Sequence, residues 1–172
     1  MKKRIGVIIA MIAASLVICL LTWRFWPRSS SKLISVDENS ITGFSAAAMV
    51  HRLENGQTLI DTYCLDSSEQ QSNDLGEIVG ILATSSYQQD FRNLLPWDLD
   101  YVDSDKNYDG RTVMLVFYMG NQIDEYVQIQ FLSSSIIAVF IGGEDGYQIY
   151  HPTNSMVIDA LVEYLQTNGA KQ

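Results

Sequence analysis

The chain has 172 residues, with 11 basic and 20 acidic side chains and a formal net charge of −9. Six of the basic residues (Lys2, Lys3, Arg4, Arg24, Arg28, Lys32) fall in the first 32 positions, so the remainder carries a formal −15. A surface of that sign repels phosphate backbones, and no nucleic-acid partner is expected; it suits cationic partners or divalent ions.

Lys2-Lys3-Arg4 is followed by Ile5 to Trp23, nineteen residues without a charge. At about 1.5 Å per residue that run reaches roughly 28 Å, close to the thickness of a bilayer core. Trp23 and Trp26 stand where an aromatic belt would, and Arg24 and Arg28 mark the exit into water. The apolar run ends in Thr22-Trp23-Arg24-Phe25-Trp26-Pro27, which offers no small-residue cleavage site. Leu16-Val17-Ile18-Cys19 resembles a lipoprotein signal, but that family has a small residue before its cysteine, where Ile18 stands here. The segment is therefore read as an uncleaved signal anchor. Three basic residues flank each side; the N-terminal cluster is tighter and gains the terminal amine, which places the N-terminus inside and the domain outside. Ser29-Ser30-Ser31 then reads as a short flexible tether.

The rest of the chain, residues 33–172, can bury about two-thirds of its unfolded surface without a disulfide or metal. Cys19 lies in the apolar run and Cys64 in the domain, so no intramolecular disulfide is expected, and Cys64 reads as a small buried hydrophobe. Asn55-Gly56 supplies the positive φ values of a tight hairpin between Phe44–His51 and Thr58–Leu65. Ala46-Ala47-Ala48 favours helix locally, but the turn argues for strand. A helix follows, capped by Asn73 or Asp74, with Leu75, Ile78, Val79 and Leu82 on one face, and is expected to fade near Phe91. Trp97, Leu99 and Tyr101 alternate with acids as a one-sided strand. Val113–Tyr118 and Ile136–Ile141 are apolar on both faces and read as central strands, with Val127, Ile129 and Phe131 alternating between them. Tyr147–Tyr150 is a last strand before Pro152. A final helix, capped by Asn154 or Ser155, buries Val157, Leu161, Tyr164 and Leu165 and closes at Asn168-Gly169. Strands joined by short turns predict an α+β fold: an N-terminal transmembrane helix, then an antiparallel sheet with two helices packed on one face.

The segment with ligand-like density runs from Asp98 to Gly110. Within it Asp105-x-Asn107-x-Asp109-Gly110 resembles the first half of the EF-hand calcium loop, whose odd-numbered oxygens converge on one hard cation. The resemblance covers six residues; Val116 stands where the twelfth-position acid would be, and Lys106 places a cation inside the loop. It implies a calcium candidate at Asp103, Asp105, Asn107 and Asp109, against a solvated hairpin turned by Asp109-Gly110.

His51 and His151 are far apart and show no zinc spacing; His151, before Pro152 at a strand end, reads as a surface or cap residue. No nucleophile elbow, Cys-x-x-Cys pair or phosphate-binding glycine loop occurs, so no cofactor and no catalytic residues are expected. Tyr101, Tyr108, Tyr118, Tyr126, Tyr147 and Tyr150 cluster in the strand-rich half, where tyrosine serves either an exposed binding face or strand formation.

In layout the chain resembles the small membrane-tethered extracytoplasmic domains of Gram-positive bacteria: basic tail 1–4, transmembrane signal anchor 5–23, tether 24–32, α+β domain 33–172. The expected role is a non-catalytic binding or sensing module at the outer face of the cytoplasmic membrane, with an extracytoplasmic protein or envelope ligand as partner. The alternatives are a calcium-stabilised structural or adhesive domain and an envelope hydrolase using a carboxylate pair.

Overall fold

The computed structural model describes residues 2–31, 41–66, 71–94, 109–119 and 125–172. Helix α1 (Lys2–Arg24) leads into a two-residue strand β1 (Arg28–Ser29). Strands β2 (Gly43–Glu54) and β3 (Gln57–Asp66) precede helix α2 (Gln71–Ala83), strand β4 (Ser86–Gln89) and a 3₁₀ turn at Phe91–Leu94. Strands β5 (Arg111–Tyr118), β6 (Tyr126–Ser133), β7 (Ile136–Ile141) and β8 (Gln148–Pro152) follow, then helix α3 (Val157–Asn168) and strand β9 (Ala170–Lys171). The nine strands form one antiparallel sheet in the order β1-β4-β8-β7-β6-β5-β2-β3-β9, an α+β architecture as the sequence predicts.

The stretch Gly6–Arg24 of α1 is long and apolar enough to cross a membrane, and 0% of it is buried against the rest of the protein. Its hydroxyls close on the helix itself, Ser15 Oγ donating to the Met11 carbonyl at 2.9 Å and Thr22 Oγ1 to Ile18 at 2.8 Å. That leaves the helix surface apolar all round.

The hairpin forms where Asn-Gly demands it: Asn55 and Gly56 take φ of 53° and 79°, and Glu54 pairs Gln57. Ala46-Ala47-Ala48 is strand, not helix. Its small residues have a packing reason, because α3 crosses the sheet over β2, β3 and β5, and Ala46 and Ala48 are buried beneath it. The core lies between the helices and one sheet face. Phe44, Val113, Leu115, Phe117, Val127, Ile129 and Phe131 meet Ile78 and Leu82 of α2 and Val157, Leu161 and Leu165 of α3. Tyr164 fastens the two helices together by donating to Asp74 Oδ1 at 2.6 Å; burial first, then the Asp74 charge, pushes its hydroxyl up to about 12.

Several elements depart from expectation. The helix predicted to reach Phe91 ends at Ala83, where Thr84 Oγ1 donates to the Ile81 carbonyl at 2.7 Å. The residues after it pair as β4 with β8, a tertiary gain that the local helical pattern does not contain. Helix α2 also starts at Gln71, so Asp74 sits inside its first turn rather than capping it. Helix α3 starts after Met156; Asn154 Oδ1 accepts from the Met156 amide at 3.1 Å, shaping the turn before the helix. The strand expected at Trp97–Tyr101 lies outside the described residues. Strand β5 buries only alternate residues, with Thr112, Met114 and Val116 half-exposed on the other face, while β7 is buried on both faces over Ile136–Val139. Cys64 is half-buried, not buried.

Gly169 closes α3 in extended conformation (φ −85°), its amide donating to the Leu165 carbonyl at 2.8 Å. A Cβ here would lie 2.6 Å from that carbonyl oxygen and 3.1 Å from that of Cys64. Glycine is required because α3 must turn directly into β9, which pairs with Tyr63 and Cys64 on the edge of β3.

Arg28 and Ser29, in the segment read as a tether, pair with Tyr87 and Ser86 of β4, and Ser30 is buried. The link from α1 is thus built into the edge of the sheet.

Candidate functional site

In β5, β6 and β7 the strand period of two sends the even-numbered side chains, and in β2 and β8 the odd-numbered ones, to the face opposite α2 and α3. At one end of this face Tyr118 of β5 stands directly across from Tyr126 of β6, and Tyr118 is 40% exposed. On the next strand Phe140 stands across from Gln128, one step inward of that pair, and its ring packs on Tyr147 with centroids 5.3 Å apart. Tyr147 rests in turn on a small second core of Leu132, Ile136 and Ile149. The Phe140–Tyr147 pair is therefore fixed by packing, and Tyr118 keeps ring surface exposed. Gln128 and Gln130 extend it inward along β6, half-exposed and able to donate and accept. Exposed Glu125, Glu144 and Asp145 rim the same end. Such a surface offers flat apolar area with hydrogen-bonding groups and a negative border, the make-up of a recognition face.

The other end of the same face is held by a buried polar knot. Asp90, 7% exposed, follows β4; its Oδ1 accepts from the Arg92 amide at 2.8 Å and from Arg92 Nε at 3.0 Å. Its Oδ2 accepts from Arg92 Nη2 and lies 2.8 Å from His151 Nε2. Burial alone would raise the Asp90 pKa, but the Arg92 bonds and the His151 bond outweigh it and hold the carboxyl well below the usual carboxylate range. The second ring nitrogen, His151 Nδ1, lies 2.8 Å from the Ser135 carbonyl oxygen. Both ring nitrogens are thus engaged with acceptors and neither is left facing a nucleophile. The imidazole acts as a bracket joining the end of β4, strand β8 and the β6–β7 turn. Among the described residues no buried side-chain polar atom lacks a partner.

Of the calcium candidates, Asp103, Asp105 and Asn107 lie outside the described residues. Asp109 is described, and its oxygens are occupied: Oδ2 accepts from the Ser134 amide at 3.0 Å and Oδ1 from the Arg111 amide at 3.3 Å. Arg111 also forms an ion pair with Asp159 in the first turn of α3. No group of three or more His, Cys, Asp or Glu among the described residues is placed to hold a metal. Asp109 therefore joins the start of β5 to the β6–β7 turn.

Of the tyrosines singled out by sequence, Tyr118, Tyr126 and Tyr147 lie on the face opposite α2 and α3. Tyr150 points to the other face, pairing Ile137 and packing toward the main core. Tyr101 and Tyr108 lie outside the described residues. Phe140 was missed, although its alternation with buried Val139 carries the signal. Asp90, Arg92 and Asn93 were missed as well, because Asp90 and Asn93 find partners on β8, far along the chain, and Arg92 acts through Asp90.

Among the described residues, an uncovered apolar N-terminal helix leading into an α+β domain with its helices packed on one face of an antiparallel sheet defines the class of this protein. No family model matches the chain, and no curated protein or solved structure matches it either.

Proposed function

We propose that this is a single-pass membrane protein, spanning through residues 5–23, that presents its acidic domain outside the cytoplasm as a non-catalytic binding or sensing module. The observation that carries the reading is the two-faced sheet: one face packed against α2 and α3, the other bearing the partly exposed Tyr118–Tyr126 pair and Phe140–Tyr147 stack. The exposed apolar surface of α1 supports the membrane span, since a helix apolar all round is costly in water. The partner is an extracytoplasmic protein or envelope ligand, and the acidic rim favours one that presents cationic or hydrogen-bond-donating groups to these aromatic side chains.

A photo-crosslinking residue placed at Tyr118 in the full chain, in living cells, tests the reading. It should form a discrete adduct that a matched probe at Glu163, on the exposed side of α3, does not form. The adduct should disappear when Tyr126→Ser is added. Equal labelling from both positions, or labelling from the cytoplasmic side only, overturns the proposal. So does hydrolysis of envelope material by the purified chain that a single carboxylate substitution abolishes.

A further inference from the structure

We propose that the protein holds the phosphate headgroup of an anionic phospholipid in the cleft between the end of α1 and the β1–β4 edge of the sheet. Arg24 and Arg28 line this cleft together with Trp26, Gln89 and Tyr150. The pairing of Arg28 and Ser29 with Tyr87 and Ser86 is what brings the end of the helix against the domain. Neither arginine has an ion-pair partner among the described residues; Arg28 instead stacks over Trp23, 5.9 Å from the ring centroid. Two guanidinium groups thus share one cleft with no acid among the described residues to neutralise them, in a chain whose domain is otherwise strongly acidic. The Tyr150 hydroxyl is already committed to Gln148 Oε1 at 2.8 Å, so the positive charge of the cleft belongs to the arginines.

Size and surroundings select the ligand. The cleft measures about 40 Å³, room for a few waters or one compact anion and far below the roughly 300–1,000 Å³ of small-molecule sites. It does not end there. Arg28 and Ser29 are shared with a shallower groove past Trp23 and Trp26, which continues as an apolar groove along Cys19 and Thr22. An anion-sized cationic cleft that opens into an apolar groove along one side of a helix has the polarity of a phospholipid, headgroup above and acyl chain below. Guanidinium forks match phosphate oxygens in pairs, and indole rings settle at the headgroup level. A free phosphate would use the arginines but not the groove, so the occupant is the lipid.

The inference rests on α1 spanning the membrane. The test is tryptophan quenching in the full chain, reconstituted in vesicles containing equal fractions of bromine-labelled phosphatidylglycerol or bromine-labelled phosphatidylcholine. Trp23 and Trp26 should be quenched more strongly by the anionic lipid, with local enrichment on the order of ten-fold for two arginines at a membrane surface. The excess should vanish in Arg24→Gln/Arg28→Gln and largely persist in Arg24→Lys/Arg28→Lys. Equal quenching by the two lipids in the unaltered chain, or an excess that survives the double glutamine variant, overturns the inference. Loss of the excess on adding inorganic phosphate at constant ionic strength makes the cleft a simple anion site and overturns the lipid assignment. Flotation separates the two failures: a chain that does not float with vesicles overturns the membrane reading and this inference with it, whereas a floating chain without headgroup preference overturns this inference alone.

Discussion

Asn93 completes the hydrogen bonding of Ile149 in place of a strand: its Nδ2 donates to the Ile149 carbonyl at 2.8 Å and its Oδ1 accepts from the Ile149 amide at 2.9 Å. Strand β4 stops at Gln89; the Asp90 amide still donates to the Ile149 carbonyl at 2.9 Å, and the 3₁₀ turn brings the Asn93 side chain alongside to supply the acceptor for the Ile149 amide. A primary amide has the donor and acceptor of a peptide group, so the ladder continues without a residue to supply it.

Asn93→Ala should therefore cost about 1–3 kcal/mol, because it strips the partner from the amide of a buried strand residue. Asn93→Asp should cost at least as much, since its carboxylate turns an oxygen toward the Ile149 carbonyl. Chemical denaturation of the variants checks both, and amide exchange at Ile149 should accelerate in each.

Asp90 makes stability depend on acid. Its folded carboxyl is held below the ordinary aspartate value of about 3.9, so in that range the unfolded chain binds more protons and folding weakens as pH falls. The contribution is complete above about pH 4–5 and is lost progressively below it. Asp90→Asn should remove this slope while costing about 1–3 kcal/mol at neutral pH, below the roughly 3–5 kcal/mol of a fully buried broken pair because Arg92 is 32% exposed. Melts of both proteins between pH 2 and pH 7 test this; parallel curves would show that another carboxylate governs the acid response.

Gly169→Ala places a methyl group against two backbone carbonyl oxygens that cannot swing aside. A loss of roughly 1–3 kcal/mol is expected, typical of overpacking. Released pairing of Ala170 and Lys171 should appear as faster exchange of the Gln172 amide, which donates to the Thr62 carbonyl at 2.9 Å.

The acidic loop separates two readings. With Asp109 engaged by Ser134 and Arg111, Asp109→Asn should lower the melting temperature by the same few degrees in calcium and in chelator. The calcium-stabilised alternative predicts instead a calcium-dependent rise in the parent that grows as RT ln(1 + [L]/Kd) and is absent from Asp105→Ala/Asp109→Ala.

What the sequence discloses here is whatever depends on near neighbours. Asn55-Gly56 announces its hairpin because both positions need positive φ, and the alternation through Val127, Ile129 and Phe131 sorts β6 into an inner and an outer face. Strand β4 is illegible for the opposite reason. Ser86-Tyr87-Gln88-Gln89 has little strand character of its own, and its pairing partners lie at Arg28 and at Tyr150 to Pro152. Thr84-Ser85 was the one local hint, since hydroxyl side chains that bond back to the chain end a helix readily. The site divides in the same way. Tyr118 and Tyr126 follow from parity within each strand, whereas the Asp90–His151 bond joins residues 61 positions apart that no spacing rule connects.

The union of β1 with β4 also governs how the domain explores its surroundings. Only Phe25, Trp26 and Pro27 separate the last residue of α1 from the first of β1. A free nine-residue leash would let a domain roam over roughly 15–18 Å of reach. Here the body is bolted to its stalk, so on a membrane its height and tilt would vary little and its aromatic side chains would sweep a thin layer as the whole protein diffuses laterally. Encounter with a partner then becomes a search over an area instead of a volume, and a partner lodged in that layer meets a surface already turned toward it.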